Sequence, residues 1–476
     1  MENFLLSLLY ILEANIILFV CQALTIFIVL KLIVDKKSAS NILAWLLAIL
    51  FIPYVAIPFF FIFQRKDKRS FWQKEAMNIS QPSLDLFCLD KSESCKNLPN
   101  EIINVFANMD LNTLTTKNSF EMYTDGVKSF QAFMQAIESA QQNIYIQTYV
   151  FKNDTTSKLV INALEKKAAE GVEIKMMIDS LGSFYVYRHN RKIFKKLRDL
   201  GAKVVFFMPV ISNPLRNYIN YRNHRKIYIF DNHTVFSGGM NIGDEYMSPI
   251  EHQGMWDDLL FKIQGESLIY FLKVFCSDWH FATNQEIDFN IDNTIIQEGF
   301  VQVIPSGPDL KEDQLYSGLI TAINSAKEKL WIITPYLIPS AELYHSIVLA
   351  KKKGLEVKII TPEKSNHKLV DKARASYIRD FLEANIDIHF TKNMIHAKAV
   401  LIDDNIAMLG SVNLDIRSLF LNYEIATFLY SKNDVAKIYR WAEKILADST
   451  QNTQHMTSSR GSLIAESILK ILTPLM

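Results

Sequence analysis

The feature that most restricts what this chain can fold into is a motif that occurs twice. His224, Lys226, Asp231, Gly238, Gly239 and Asn241 stand in the pattern H-x-K-x4-D-x6-G-[GS]-x-N, and His396, Lys398, Asp403, Gly410, Ser411 and Asn413 repeat it. The histidines are 396 − 224 = 172 positions apart. Packing does not demand matching polar residue types at matching offsets, so the repeat points to two related halves sharing one chemistry.

Around each histidine the residues alternate with large apolar side chains, Ile227, Ile229 and Phe230 in one copy and Val400, Leu401 and Ile402 in the other. This reads as a buried strand carrying His and Lys at i and i+2, on one face. Asp231 and Asp403 then fall at the following turn, where Asp and Asn are at home. A second apolar strand ends in the small Gly-[Gly/Ser]-x-Asn, where backbone can approach a ligand closely. Two imidazoles, two ammonium groups and the amides of Asn241 and Asn413 meeting at a pseudo-twofold interface make a compact cationic pocket suited to a phosphodiester. No metal-ligand cluster or cofactor is implied; a metal acting through lipid headgroups would not be a catalytic ligand, and chelator insensitivity would support that view.

On these residues the chain resembles the phospholipase D superfamily and, within it, the bacterial cardiolipin synthases. The resemblance extends through Gly238 to Tyr246, Ser306-Gly307-Pro308, Thr334 to Pro339 and Gly410 to Ser418. It implies a catalytic set of His224, Lys226, Asp231, His396, Lys398 and Asp403, with the two aspartates more structural than chemical. It implies phosphate binding by Asn241 and Asn413, His224 as nucleophile, and His396 as acid and base. It also implies Asp258 as the residue orienting His224, and Glu424, in Asn422-Tyr423-Glu424, as the one orienting His396. One departure stands out: Trp256-Asp257-Asp258 occupies the place where these synthases show Trp-Arg-Asp.

With 476 residues, 49% hydrophobic and 21% charged, the chain suits a folded protein with some membrane segment. Phe4 to Val34 is apolar for longer than the roughly 20 residues a bilayer requires, and Ile42 to Phe63 carries no charge but contains Pro53 and Pro58. Both are expected to span, the second kinked at its prolines. A cleaved signal peptide fits less well, because no basic segment precedes the first run. Arg65, Lys66, Lys68 and Arg69 follow at once, which favours a cytoplasmic catalytic region on a multi-pass inner-membrane protein.

The expected organisation is a transmembrane hairpin over 1–69, a connector over 70–117, two tandem phospholipase D-like α/β/α halves over 118–295 and 296–455, and a C-terminal amphipathic helix over 456–476. Cys88 and Cys95 lie in the connector, where a disulfide would require an oxidising compartment and so oppose this topology. Gly171 and Gly354 open matching segments 183 apart, against 172 for the histidines, so the first half carries an insertion, assigned to Met208–Tyr221. Strand and helix alternate twice, predicting two mixed or parallel sheets flanked by helices with the site between the halves. The substrate is expected to be a phospholipid, phosphatidylglycerol, at a membrane. If its hydroxyl is the acceptor, cardiolipin and glycerol result; if water is, the enzyme is a hydrolytic phospholipase D. A membrane-anchored nuclease would share the motifs, but only Arg216, Arg222 and Arg225 form a dense basic group nearby, so no nucleic-acid partner is expected.

Overall fold

In the computed structural model the described residues are 2–34, 39–63, 98–211, 220–289, 298–310 and 312–451. The Cys88–Cys95 segment, most of the connector, 212–219 of the expected insertion and the C-terminal amphipathic run lie outside them. The chain forms two units, Met1–Lys68 and the remainder from Arg69.

In the first unit, helices span Glu2–Val34, Ala39–Phe51 and Pro53–Phe63. The second apolar run is therefore interrupted at Ile52, because Pro53 has no N–H to return to Ile49. Ile28, Leu32, Ile49, Ala56 and Phe60 pack together, and Trp45 meets Phe60 edge to face at 5.2 Å. Among the described residues no helix is both long and apolar enough to cross a membrane.

The second unit is built on strands. In chain order these are β1 (Leu114–Tyr123), β2 (Asn143–Thr148), β3 (Glu173–Asp179), β4 (Lys203–Phe207), β5 (Ile227–Phe230), β6 (Thr234–Gly238) and β7 (Leu260–Gly265). The second half supplies β8 (Glu298–Ser306), β9 (Lys329–Ile333), β10 (Leu337–Ile338), β11 (Glu356–Pro362), β12 (Asp387–Thr391), β13 (Ala399–Ile402), β14 (Ile406–Gly410), β15 (Leu414–Asp415) and β16 (Glu424–Leu429). Pairing runs β12-β11-β9-β13-β14-β16-β8-β1-β7-β6-β5-β2-β3-β4. Read outward from the centre, β1-β7-β6-β5-β2-β3-β4 repeats as β8-β16-β14-β13-β9-β11-β12.

The expected two sheets are thus two seven-stranded halves joined by antiparallel β1–β8 pairing into one 14-stranded order. They are mixed: β2-β3-β4 and β9-β11-β12 are parallel and the inner strands antiparallel. Strands β2, β3, β9 and β11 are buried along almost their whole length, as parallel strands covered on both faces are. Helix Leu268–Thr283 is buried along most of its length, and its side chains join the apolar core that continues into the second half. Because β1 begins at Leu114, the boundary placed at 118 falls inside a strand.

The turn after β5 and its counterpart after β13 explain the motif aspartates. Asp231 and Asp403 both adopt left-handed backbone, φ 54° and 48°, which Asp tolerates. The Asp231 carboxylate accepts N–H groups from Gln141, Gln142 and Asn143 at 2.8, 2.7 and 3.1 Å. Asp403 accepts from Lys327, Glu328 and Lys329 at 3.1, 2.8 and 3.0 Å. Each fastens the turn to the start of the neighbouring strand, at the far end of β5 or β13 from its histidine. Both carboxylates are thus engaged with backbone at the turn rather than with an imidazole.

Candidate active site

His224 and His396 precede β5 and β13 in extended segments rather than lying within the strands. Those segments pair across the halves. His224 N–H donates to the Tyr423 carbonyl at 2.8 Å, and Tyr423 N–H donates to the Arg222 carbonyl at 2.8 Å. The second half answers with His396 N–H to the Asp257 carbonyl at 2.7 Å and Asp257 N–H to Met394 at 2.9 Å. These two parallel bridges, Asn223 with Tyr423 and Asp257 with Ile395, set the register that places residue 224 beside 424 and 396 beside 258.

The consequence reverses the expected pairing. His224 Nδ1 meets Glu424 at 2.9 Å, and His396 Nδ1 meets Asp258 at 2.7 Å. Each imidazole is oriented by the acid of the opposite half, so neither half holds a complete site. An acid about 30 positions downstream in the same half is the natural partner in sequence; the bridges make the distant one adjacent.

The glycine run serves this pairing rather than a ligand. At Gly238 and Gly410, φ is 132° and 156°, and a Cβ would lie 2.3 and 2.2 Å from the carbonyl oxygens of Leu259 and Ile425. At Gly239 a Cβ would fall 2.1 Å from Asp258 Oδ1, so the missing side chain makes room for the carboxylate. Ser411 holds the matching position, and its hydroxyl donates to Glu424. The substitution of Asp257 for arginine leaves the His396–Asp258 contact intact, because residue 257 serves the bridge through its backbone. Burial, then Asp258, raises the half-buried Asp257 carboxyl.

Lys226 donates to the His224 carbonyl at 2.7 Å, and Lys398 to that of His396. Lys398 Nζ also sits 3.0 Å from the His396 ring nitrogens. Asn241 Oδ1 accepts from Val150 N–H at 3.0 Å, which turns its amide nitrogen elsewhere. Asn413 Nδ2 faces Ser418 Oγ at 3.3 Å, and its Oδ1 is buried without a partner. Half a turn of that amide would present a donor in its place.

Several residues escaped sequence reasoning. Tyr149 packs edge-on against His224, with ring centres 4.8 Å apart, while Tyr246 and Trp256 stand 5.1 and 5.5 Å from His396. Arg225 bridges the halves: it pairs with Asp278 at 2.6 Å and donates to the carbonyls of Glu424 and Ser306 at 3.0 and 2.9 Å. Asp278 had one legible signal, an acid within an otherwise apolar helix that had to find a partner. Arg222 is similarly tied to Asp179 at 2.7 Å. Both arginines are buried, so they offer no surface to a polyanion.

Burial dominates the electrostatics. It pushes the His396 imidazole down to about 3, with Lys398 adding to the effect and Asp258 opposing it. His224 is also lowered by burial, against the pull of Glu424. Lys398 falls to about 8 and Lys226 well below its ordinary value, again through burial. Glu424 pays the same desolvation, but His224 and Lys226 outweigh it and hold the carboxyl low. Without a substrate anion both rings are neutral at pH 7, and an entering phosphodiester supplies the negative charge that favours protonating one of them.

Residues 133–279 and 319–446 match the family described as cardiolipin synthase, PLD-like domain. A cardiolipin synthase of Clostridium perfringens is 31% identical over 93% of this chain and 96% of its own length. The major cardiolipin synthase of Bacillus subtilis is 32% identical, covering 100% of this chain and 99% of its own. The chain belongs to the cardiolipin synthase family. Its two matched segments correspond to the two halves that cross-pair at the histidines, so the site takes residues from both copies of the repeat. A phosphatidylserine synthase of Haemophilus influenzae shares the fold, with a TM-score of 0.60 at 15% identity over 79% of this chain and all of that one.

Proposed function

We propose that this protein is a phosphatidyltransferase that makes cardiolipin and glycerol from two molecules of phosphatidylglycerol. The observation that carries the reading is the pair of crossed histidine–carboxylate contacts in a near-full-length relative of cardiolipin synthases. One neutral imidazole, assigned to His224, attacks phosphorus through Nε2 as the bond to the departing glycerol oxygen breaks. His396, protonated in the substrate complex, gives its proton to that oxygen. The hydroxyl of a second phosphatidylglycerol then attacks the phosphohistidine, its proton passes to His396, and the P–N bond breaks to free His224.

Glu424 and Asp258 stabilise positive charge on the ring each one touches. Lys226, Lys398, Asn241 and Asn413 are the donors for the non-bridging oxygens as charge redistributes. The aromatic walls around both rings support transfer over hydrolysis, because they limit water at the intermediate. A nuclease reading is disfavoured by the burial of Arg222 and Arg225 in ion pairs. A membrane location, with Phe4–Val34 and Ile42–Phe63 as spans and the catalytic unit on the cytoplasmic face, is supported by the apolar composition of both runs and by the basic cluster Arg65, Lys66, Lys68 and Arg69 that follows them. The division into hairpin, connector, two halves and C-terminal amphipathic helix belongs to the same proposal.

The deciding experiment is product analysis of the purified protein in phosphatidylglycerol vesicles beside His224→Ala and His396→Ala. Cardiolipin with equimolar glycerol, lost in both variants, is expected. Phosphatidic acid as the sole product would replace the transferase with a hydrolase.

A further inference from the structure

Several of the large apolar side chains left exposed on the catalytic unit lie at one end of its halves. Leu181, Phe184 and Tyr185 follow the C-terminal end of β3, and Phe184 and Tyr185 are 42% and 57% exposed. Ile250, 71% exposed, lies in the loop after β6, and Leu369, 61% exposed, opens the helix after β11. Each of these loops leaves its half at the end that carries the histidine. In the first half β2 is parallel to β3 and its end adjoins Ile227, just past His224 and Lys226. In the second, β9 is parallel to β11 and its end adjoins Ala399, just past His396 and Lys398.

The contacts are short. A Cβ on Gly182 would strike Tyr149, the ring that packs on His224. Trp256 N–H bonds the Glu245 carbonyl, closing the loop that carries Ile250 back onto His396. Asn366 accepts from Tyr336 at 2.6 Å, and His367 packs on the same ring at 5.7 Å, three and two residues before Leu369. Exposed cations accompany the apolar residues: Arg188 one turn beyond Phe184, and Lys364, Lys368 and Lys372 around Leu369. The neighbouring acids are Glu251, Glu363 and Asp371, and Asp371 is paired with Arg374.

We infer that this rim is a docking surface for an anionic bilayer leaflet, with Phe184, Ile250 and Leu369 entering the acyl region and the lysines and arginine meeting phosphates. The chemistry is that of amphipathic interfacial segments, apolar side chains accompanied by cations, and it lies at the end of each half that carries the histidine. The inference rests on the lipid reading of the site. It adds that the catalytic unit takes its substrate while seated on the leaflet, so that headgroups reach the site without leaving the membrane.

The test uses the full chain in a cysteine-free background, with an environment-sensitive fluorophore placed singly at positions 184, 250 and 369. Positions 200 and 349, which are exposed and apolar and lie towards the strand starts of β4 and β11, the end opposite the histidines, serve as controls. In vesicles of phosphatidylglycerol and phosphatidylcholine carrying nitroxide-labelled lipids, the three rim labels are expected to be quenched at least threefold more than the controls. The excess should shrink when phosphatidylglycerol is omitted. Equal quenching at rim and control positions would overturn the inference, as would a blue shift that grows with protein concentration in lipid-free detergent, which would mark self-association. Cardiolipin formation is read in parallel on unlabelled protein in the same vesicles. Product without rim quenching defeats the docking surface alone; rim quenching without product defeats the catalytic reading alone.

Discussion

Replacing Glu424 by glutamine tests the crossed site at its most distinctive contact. The side chain keeps its size and an oxygen able to accept from His224 Nδ1, so a hydrogen bond worth about 1 kcal/mol remains. What disappears is the charge. At the 2.9 Å separation, an effective dielectric near 20 gives an attraction for the imidazolium of about 6 kcal/mol. Subtracting the retained bond and some relaxation leaves about 4–5 kcal/mol, or a loss of roughly 10³- to 10⁴-fold in kcat with little change in KM. Glu424 raises the His224 pKa against burial, so its removal should lower that ring's titration further while leaving His396 in place. The assay pairs cardiolipin formation in mixed micelles with ring-nitrogen NMR of histidine-labelled protein. Asp258→Asn should do the converse, moving His396 and sparing His224. If Glu424→Gln shifted His396 and left His224 unchanged, the crossed pairing would be wrong.

Other expectations follow from the same geometry. Asp231→Ala and Asp403→Ala each strand three backbone N–H groups, so thermal unfolding should show a loss of about 1–3 kcal/mol, with kcat of the folded fraction within a few-fold of the parent. A loss above a hundredfold at unchanged stability would return these residues to the chemistry. Asp278→Ala leaves Arg225 buried and unpaired, costing about 3–5 kcal/mol in denaturant unfolding, whereas the apolar pair Arg225→Met with Asp278→Leu should recover much of it. Failure of the double variant to recover would mean that Arg225 contributes mainly through its bonds to Glu424 and Ser306. The pH dependence of stability has a defined sign. His396 stays neutral in the folded state down to about 3 but takes a proton below about 6.5 when unfolded, so stability is lost as pH falls through that window, at about 1.4 kcal/mol per unit. His396→Asn should flatten the slope, and unfolding midpoints that match at pH 7.5 and 5.5 in the parent would contradict it.

Much of the molecule was legible in its residues because the governing interactions are local. Alternating apolar positions around each motif marked β5 and β13, the turn chemistry of Asp231 and Asp403 marked their ends, and the repeat marked two halves. The alternation of strand and helix in each half is likewise present, as β2, helix Thr155–Ala169 and β3 in the first half and β9, helix Ala341–Lys352 and β11 in the second. Periodicity and turn preference act over a few residues, and a linear reading captures them.

The tertiary structure decided what depends on contacts between distant segments. β1–β8 pairing joins the halves into one 14-stranded order, although nothing in either strand's pattern names its neighbour. The bridges at Asn223–Tyr423 and Asp257–Ile395 place Glu424 beside His224 and Asp258 beside His396, across 200 and 138 positions of chain. The repeated motif sufficed to single out the histidines and lysines, and the family resemblance the two acids. Their pairing waited on a strand register between halves, which is set by backbone hydrogen bonds that carry no mark in the sequence.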